Sequence, residues 1–232
     1  MRLALLVFAT LIWGLGFVAT RWTLTDYSPI WSNSLRYVFA ALISIPFLLK
    51  FRTIKDIKGP VICAALLLIA LQLQTVGIGL TTLAKSGFLT VFYSIFTPIL
   101  SFFILKQRFR KTYWALVTMA MMGILMLCNL EFSEFNLGDM MTLASALFFS
   151  LHILAVDRYA MKHPAIEFNF LQCFYMGVMG FVFAMIYEGM PNLEPLMHLE
   201  DLTTPSPLLG FIILSIFSSI IAFSFQVYAQ QG

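Results

Sequence analysis

The chain has 232 residues, of which 60% are hydrophobic and 11% are charged, and its formal net charge is +3. Soluble globular domains carry charged side chains at about a quarter of their positions, so this composition excludes the soluble class and predicts an integral membrane protein. The cations are spread over short polar stretches instead of one soluble face, which argues against a nucleic-acid partner. The lipid bilayer is the partner that the composition predicts.

Apolar stretches separated by turn residues or charges predict eight membrane-spanning helices, since a helix needs about 20 mostly apolar residues to cross the hydrocarbon. The predicted spans are residues 3–20, 30–49, 60–80, 85–105, 113–130, 137–156, 168–187 and 207–229. Their connections are short, so we predict one all-helical membrane domain, a polytopic helical bundle. The first stretch follows Arg2 as a signal peptide would, but it is longer than a signal core and lacks a clear cleavage site, and we interpret it as a retained span.

All three cysteines lie within or at the ends of these apolar stretches: Cys63, Cys128 and Cys173. Their spacing does not match a metal site. Buried free thiols pack as small hydrophobic groups, so we predict a packing role for them and expect neither a metal nor a cofactor.

The distribution of cations predicts how the chain lies across the membrane. Alternate connections carry 11 of the 14 lysines and arginines: Arg2, Lys50, Arg52, Lys55, Lys58, Lys106, Arg108, Arg110, Lys111, Arg158 and Lys162. The acidic residues of the other side are Asp26, Glu131, Glu134, Glu188, Glu194, Glu200 and Asp201. Because cytoplasmic loops are enriched in Lys and Arg, the sequence predicts a cytoplasmic N-terminus.

A weak internal repeat relates the two halves of the chain. ALQLQTVGIGL, from Ala70, resembles AFSFQVYAQQG, from Ala222, and aligns Gln74 with Gln226. Because a unit of five spans has an odd number of membrane crossings, its second copy starts on the opposite side of the membrane. The result is an inverted repeat, as found in many secondary transporters. We predict a first five-span repeat at residues 1–130 and a second at 137–232, of which three spans are present. We therefore expect a ninth and a tenth span beyond this sequence.

Several motifs in a fixed order carry a resemblance to a known family. They are LIWGLGFVATRW in the first span, SPIWSNSLRYVFA with Pro29 and Arg36, residues 74–84 followed by FTPILSFFIL with Pro98, GDMMTLASALFFSLHIL, and AFSFQVYAQ. Together they resemble the drug/metabolite transporter superfamily, and within it the EamA-type permeases built from two five-span repeats. The resemblance implies ten helices, an inner or plasma membrane location, and transport, commonly outward, of small metabolites such as amino acids or amphipathic drugs. The basic stretch KQRFRK departs from the pattern, because many members carry an acidic residue there.

Two ionisable side chains within the predicted spans are candidates for substrate binding, because polar groups inside a bilayer are costly. Arg36 either attracts an anionic group such as a carboxylate or extends to the outer headgroups. His152 shares a helical face with Ser145 and Phe149. It either binds substrate or couples protons, since imidazole titrates near neutral pH, or it is a neutral histidine bonded to another helix.

The fourth span carries a stripe of hydroxyl side chains beside Tyr93: Thr90, Ser94, Thr97 and Ser101. Hydroxyls at helical spacing either line a substrate path or join neighbouring helices. Pro98 has no N–H, so the carbonyl four residues earlier, that of Ser94, loses its helical donor. We expect that carbonyl to be available to substrate or water, and we expect the span to bend.

The remaining candidates come from the repeat and from the first span. Gln74 is preferred over Gln72, because only Gln74 has a repeat mate. Trp13 either forms an aromatic wall for substrate or fills the core, and the glycines beside it permit close helix approach. The predicted substrate-binding residues are Trp13, Arg36, Gln74, Tyr93, Thr97, His152 and Gln226. The predicted structural residues are Gly14, Gly16 and Pro98.

The sequence contains no motif for a serine nucleophile, a zinc protease or a phosphate-binding glycine loop, so we predict that the protein is not an enzyme. The favoured function is a secondary transporter, an exporter of small organic metabolites that works by alternating access. The alternative is a membrane interaction protein, or a truncated chain without independent transport. A homodimer is compatible with the sequence.

Overall fold

The computed structural model describes residues 2–50, 57–127, 134–197 and 206–231, and in that part of the chain every regular element is a helix. The main helices, in chain order, are α1 (Arg2–Thr23), α2 (Pro29–Lys50), α3 (Lys58–Leu80), α4 (Leu83–Thr90), α5 (Tyr93–Leu105), α6 (Lys111–Leu127), α7 (Leu137–Tyr159), α8 (Ala165–Glu188), α9 (Pro207–Ile212) and α10 (Phe223–Gln230). Short 3₁₀ turns are Ala160–Lys162 and Glu194–Leu196, and a π-helical segment, Ile213–Ala222, joins α9 to α10.

Seven helical stretches of the described chain are long and apolar enough to cross a membrane. They include α4 with α5, as Leu83–Leu105, and α9 through α10, as Pro207–Gln230. The predicted all-helical membrane protein is therefore confirmed. The predicted fifth span, residues 113–130, corresponds to α6, which has 17 residues. The end of that predicted span lies outside the described residues. So do several residues named above: Arg52, Lys55, Cys128, Glu131, Glu200 and Asp201.

The fourth predicted span is not one continuous helix. A turn at Val91 and Phe92 separates α4 from α5. Proline at position 98 adds a second perturbation, because it cannot donate to the carbonyl of Ser94. The interruption lies before Pro98, and α5 continues through that proline. The bend expected of Pro98 stays a prediction.

The described contacts group the chain into two compact units, which are considered separately. The first unit contains Met1–Leu68 and Ala155–Gly232, and the second contains Ile69–Leu154. The first therefore draws helices from both predicted repeats.

Close packing of α2 against α8 organises the first unit. A Cβ atom at Gly177 would lie 2.7 Å from the carbonyl oxygen of Tyr37 and 2.8 Å from Cβ of Ala41, so only glycine allows this approach. Nearby, the Ser34 hydroxyl donates to the carbonyl of Gly180 at 2.9 Å. Such small-residue contacts are typical of helix pairs in membranes, where close backbone approach supplies much of the association energy.

Gly177→Ala is expected to destabilise the protein, because the added methyl group must push two backbones apart. Overpacking of this kind costs about 1–3 kcal/mol. Gly14→Ala is the matched control, because a Cβ at Gly14 meets nothing within 4 Å and alanine is the better helix former by about 1 kcal/mol. Thermal unfolding in detergent should show a lower Tm for Gly177→Ala and an equal or higher Tm for Gly14→Ala. Equal Tm values for both variants would contradict the close contact.

Two apolar clusters complete the packing of the first unit. One contains the buried residues Cys63, Val156, Phe168 and Val227. The other surrounds Trp31 and includes Tyr27, Leu35, Ala184 and Phe211. Cys63 and Cys173 are buried free thiols, as expected for cysteines that pack as small hydrophobic groups.

The second unit has its own close helix contact, between the end of α3 and the start of α7. A Cβ atom at Gly138 would lie 2.8 Å from Cβ of Leu80. Beside this contact the ammonium group of Lys85 forms a 2.5 Å ion pair with Asp139, whose side chain is fully buried. The hydroxyl of Thr81 and the backbone N–H of Asn136 also donate to the Asp139 carboxylate, at 2.8 and 2.9 Å. These bonds tie the starts of α4 and α7 together.

Candidate functional site

Arg36 lies about two turns into α2 and is folded into the first unit, with 4% of its surface exposed. Its Nε–H donates to the Ser219 hydroxyl and its Nη2–H donates to the Ser218 hydroxyl, each at 2.8 Å. The Ser215 hydroxyl donates in turn to the backbone carbonyl of Arg36 at 2.9 Å. The alternative in which Arg36 extends to the outer headgroups is therefore wrong, because the π-helical segment holds the guanidinium inside.

The guanidinium has no anionic partner in the described part of the chain. No described carboxylate lies within ion-pair distance of it, and its Nη1 makes no hydrogen bond to a described residue. The ring of Tyr37 lies 5.1 Å from Cζ and supplies a cation–π contact. Two hydroxyls and one ring compensate only part of the cost of removing a cation from water. The positive charge of Arg36 is therefore only partly compensated within the described residues.

The π-helical segment shapes this polar cluster. A helix with i→i+5 hydrogen bonds is rare and occurs frequently at functional sites. The Asn169 amide donates to the carbonyls of Ser219 and Ile220 and to the Ser224 hydroxyl, all at 3.0 Å. Asn169 thus satisfies backbone groups of the segment that presents Ser218 and Ser219 to Arg36.

Asn169 and its neighbour Gln172 were missed as candidates in the sequence. Both are buried on α8, and the Gln172 amide lies 3.5 Å from the Asn169 side-chain oxygen. The predicted span began at Phe168, which placed Asn169 at the membrane interface, whereas α8 begins at Ala165. The signal that was available is the pair of amide side chains three residues apart on an apolar helix, which share one face.

Trp13 reaches the same cluster from α1. Its indole N–H donates to the Ser218 carbonyl at 3.4 Å, and its ring packs 5.0 Å from that of Phe223. Ser218 thus contacts both Trp13 and Arg36. A Cβ at Gly16 would lie 3.4 Å from the Ser218 hydroxyl, whereas Gly14 faces open space. Close helix approach therefore exists at Gly16 and not at Gly14.

Gln226 lies on α10, seven residues after Ser219 in the sequence. It is 7% exposed, and its amide donates to the side-chain oxygen of Gln230 at 3.1 Å. A face of small and polar side chains on this last helical stretch is buried along its length: Ser215, Ser218, Ser219, Ala222 and Gln226. Gln226 is therefore buried within the first unit, and its hydrogen bond to Gln230 stays within its own helix.

The other predicted site residues belong to the second unit. Gln74 on α3 donates to the Thr90 hydroxyl at 3.1 Å. The hydroxyls of Thr97 and Ser150 lie 3.2 Å apart, and each is within hydrogen-bond distance of the Tyr93 carbonyl. These contacts join α3, α4, α5 and α7, so the hydroxyl stripe holds helices together. His152 is also buried on α7, with 1% exposure.

The Ser94 carbonyl that Pro98 leaves without a helical donor has another partner. The phenol O–H of Tyr113, on α6, donates to it at 2.7 Å. The expectation that this carbonyl is available to substrate or water is therefore wrong for this state of the molecule. A tyrosine from the next helix replaces the missing N–H, as buried backbone groups in a membrane require.

Tyr113→Phe is expected to destabilise the second unit, because it returns the Ser94 carbonyl to an unbonded state. The cost should be about 1 kcal/mol, the size of an interhelical hydrogen bond in a membrane. In a Pro98→Ala background the new backbone N–H can bond to Ser94, so the same replacement should cost much less. A double-mutant cycle on thermal unfolding measures this coupling. Additive effects of the two changes would show that Tyr113 does not compensate for Pro98.

Comparison with known proteins agrees with this architecture. The EamA-like transporter family matches residues 1–129 and 136–232. A relative named "Uncharacterized transporter", from Archaeoglobus fulgidus, is 31% identical over 180 residues, which are 78% of this chain and 56% of the relative. The chain thus spans little more than half the length of that protein. A solved structure titled "Crystal structure of protein" superposes with a TM-score of 0.73 at 18% identity, over 100% of this chain and 79% of that one. At that identity the similarity shows the fold alone.

Proposed function

Because this chain belongs to the EamA-like transporter family, we propose that it acts as a secondary transporter that exports small organic metabolites, such as amino acids or amphipathic drugs, by alternating access. The observation that carries the proposal is Arg36, a buried cation without a carboxylate partner among the described residues. Intramembrane ionisable groups generally mark substrate or ion pathways. Membership of a transporter family supports the further proposal that the protein is not an enzyme.

The proposed substrates carry an anionic group, a carboxylate being the simplest. The planar guanidinium can donate two parallel N–H bonds to a carboxylate. In the state described here two of its donors are taken by Ser218 and Ser219. These hydroxyls can release the guanidinium when a carboxylate arrives, because a charged acceptor binds it more strongly than a neutral one. Trp13, bonded to the same serine, would then contact the apolar part of the substrate.

The other predicted contacts keep their proposed roles. Gln226, in the first unit, would contribute a hydrogen bond to the substrate. Gln74, Tyr93 and Thr97, in the second unit, stay predicted substrate contacts. His152 is the proposed proton-coupling group, because imidazole is the side chain that titrates near neutral pH.

The proposed location is the inner or plasma membrane, with the N-terminus in the cytoplasm, as the distribution of Lys and Arg predicts. With that orientation α2 runs from the outer surface inward, and Arg36 lies in the outer half of the membrane. Outward transport would then end with release of the substrate from Arg36 to the exterior.

Counterflow into proteoliposomes tests the transport proposal. Vesicles containing the purified chain are loaded with an unlabelled amino-acid mixture, and the accumulation of each labelled amino acid from outside is followed. Parallel vesicles are loaded with a lipophilic drug. We expect accumulation of at least one labelled compound above the level of protein-free vesicles. Accumulation no greater than in protein-free vesicles for every compound would overturn the proposal and favour the interaction role.

A further inference from the structure

A cleft at the turn between α5 and α6 lies in the second unit and takes no part in the proposed transport site. Its volume is about 310 Å³. Its walls are mainly apolar and include Ile99, Phe102, Phe103 and Trp114. Two polar side chains also line it, Gln107 and Arg108. The turn that forms it is fixed by Lys106, which ends α5 in a left-handed conformation with φ of 58°. The Ser101 hydroxyl donates to the Gln107 side chain at 2.9 Å and holds the loop against α5.

The turn beside this cleft is strongly cationic, and its Arg108 lines the cleft. Four cations lie within six residues, and all are exposed: Lys106, Arg108, Arg110 and Lys111. The sequence has no acidic residue between Asp56 and Glu131. None of the four cations forms an ion pair with another described residue. The buried acid of the same unit, Asp139, is already bound to Lys85. The chain around the cleft therefore offers no described anion to neutralise this charge.

The cleft has apolar walls beside a basic turn, a combination that matches an amphipathic ligand. Phe103 is 65% exposed and Ile99 is 39% exposed, so the apolar side of the cleft opens outward. Arg108 lies over the Phe102 ring, with Cζ 5.9 Å from its centroid, and so stands between the apolar wall and the basic loop. Tryptophan, as at position 114, is enriched at the membrane–water interface. The cleft thus combines an apolar wall with positive charge on the neighbouring turn.

We propose that this cleft binds one anionic phospholipid, with its phosphate between Arg108 and the neighbouring cations and an acyl chain along Phe103 and Ile99. Clusters of Lys and Arg directly beside a membrane helix attract anionic headgroups. A soluble anion would satisfy the cations but leave the aromatic wall uncovered. With the proposed orientation this lipid belongs to the cytoplasmic leaflet.

Quenching of tryptophan fluorescence by brominated lipids tests the proposal at the cleft itself. The purified chain in neutral detergent is titrated with phosphatidylglycerol that carries bromine on one acyl chain, and separately with brominated phosphatidylcholine. We expect saturable quenching by the anionic lipid at about one lipid per chain. Trp114→Phe should remove that saturable component, because the other tryptophans lie elsewhere. Equal quenching by both lipids, or saturable quenching that survives in Trp114→Phe, would overturn the proposal.

Two matched variants separate a specific site from diffuse attraction. Arg108→Gln should weaken phosphatidylglycerol binding about fivefold or more, since each cation near an anionic surface contributes roughly this factor. Arg158→Gln removes a cation from the same predicted side of the membrane, one that also lies over a ring, that of Tyr159, but that does not line the cleft. It should leave binding unchanged. Equal losses in the two variants would show diffuse attraction and contradict a lipid site.

Inorganic phosphate distinguishes a lipid site from a site for free anions. Phosphate at millimolar concentration should displace little bound phosphatidylglycerol at constant ionic strength, because it cannot cover the apolar wall. Full displacement under those conditions would show that the cations recognise phosphate alone, and the lipid proposal would then fail.

Discussion

Replacing Arg36 by glutamine is expected to abolish most transport of a carboxylate-bearing substrate while the helices remain folded. Losing one partner of a desolvated charge pair costs about 2–5 kcal/mol of binding, which corresponds to a loss of about 30-fold or more in substrate affinity. Glutamine can still bond to Ser218 or Ser219, so the packing of the π-helical segment against α2 should be retained. Proteoliposome counterflow gives the transport rate at several substrate concentrations.

The stability of this variant separates a binding role from a structural one. A buried cation without an anionic partner is costly to the folded state, so Arg36→Gln should leave the Tm unchanged or raise it. Lys50→Gln is the matched control, because Lys50 is an exposed cation in the last turn of the same helix; it should change neither transport nor Tm. A large fall in Tm that accompanies the loss of transport would indicate that Arg36 mainly holds α2 to the π-helical segment. Unchanged transport would remove Arg36 from the substrate site.

Lys85→Met is expected to destabilise the second unit strongly, because it leaves the Asp139 carboxylate without its cation. The effect should be about 2 kcal/mol. That value lies between the roughly 0–1 kcal/mol of an exposed pair and the 3–5 kcal/mol lost on breaking a fully buried one, since Lys85 is 15% exposed and Asp139 is fully buried. Thermal unfolding in detergent measures it. Lys111→Met is the control in the same unit, as Lys111 is exposed and makes no described ion pair.

A second replacement should rescue part of that loss. Asparagine at position 139 can still accept a hydrogen bond from Thr81, and it carries no charge, so the double variant Lys85→Met with Asp139→Asn should be more stable than Lys85→Met alone. The coupling energy in this double-mutant cycle reports the pair directly. Additive changes in Tm, or equal effects of Lys85→Met and Lys111→Met, would contradict a stabilising pair.

The helices could be predicted from the sequence, because length and hydropathy are local properties of each stretch. The effect of Pro98 on the Ser94 carbonyl was also predictable, since it follows from the covalent structure of proline. The donor that replaces the missing N–H was not, because Tyr113 lies on another helix and periodicity does not place one helix against the next. For the same reason, the sequence does not decide whether the hydroxyl side chains of the fourth span pack against other helices or contact substrate.

The direction of Arg36 depends on residues far away in the sequence. Whether this side chain points inward or toward the headgroups is decided by Ser218 and Ser219, which lie more than 180 residues later. The π-helical segment that presents them has an ordinary apolar pattern, ILSIFSSIIA, and nothing in it distinguishes a π-helix from an α-helix. The sequence therefore predicts some members of the polar cluster around Arg36, whereas their arrangement follows only from the folded structure.

A matched pair of ligands tests the central claim most directly, namely that Arg36 receives the anionic group of the substrate. An amino acid that is transported by the wild-type chain is compared with its carboxamide, which has nearly the same shape but no negative charge, in the wild type and in Arg36→Gln. The wild type should prefer the carboxylate by at least about tenfold, equivalent to 1.4 kcal/mol, and the variant should show no preference. The same preference in both proteins would contradict the claim.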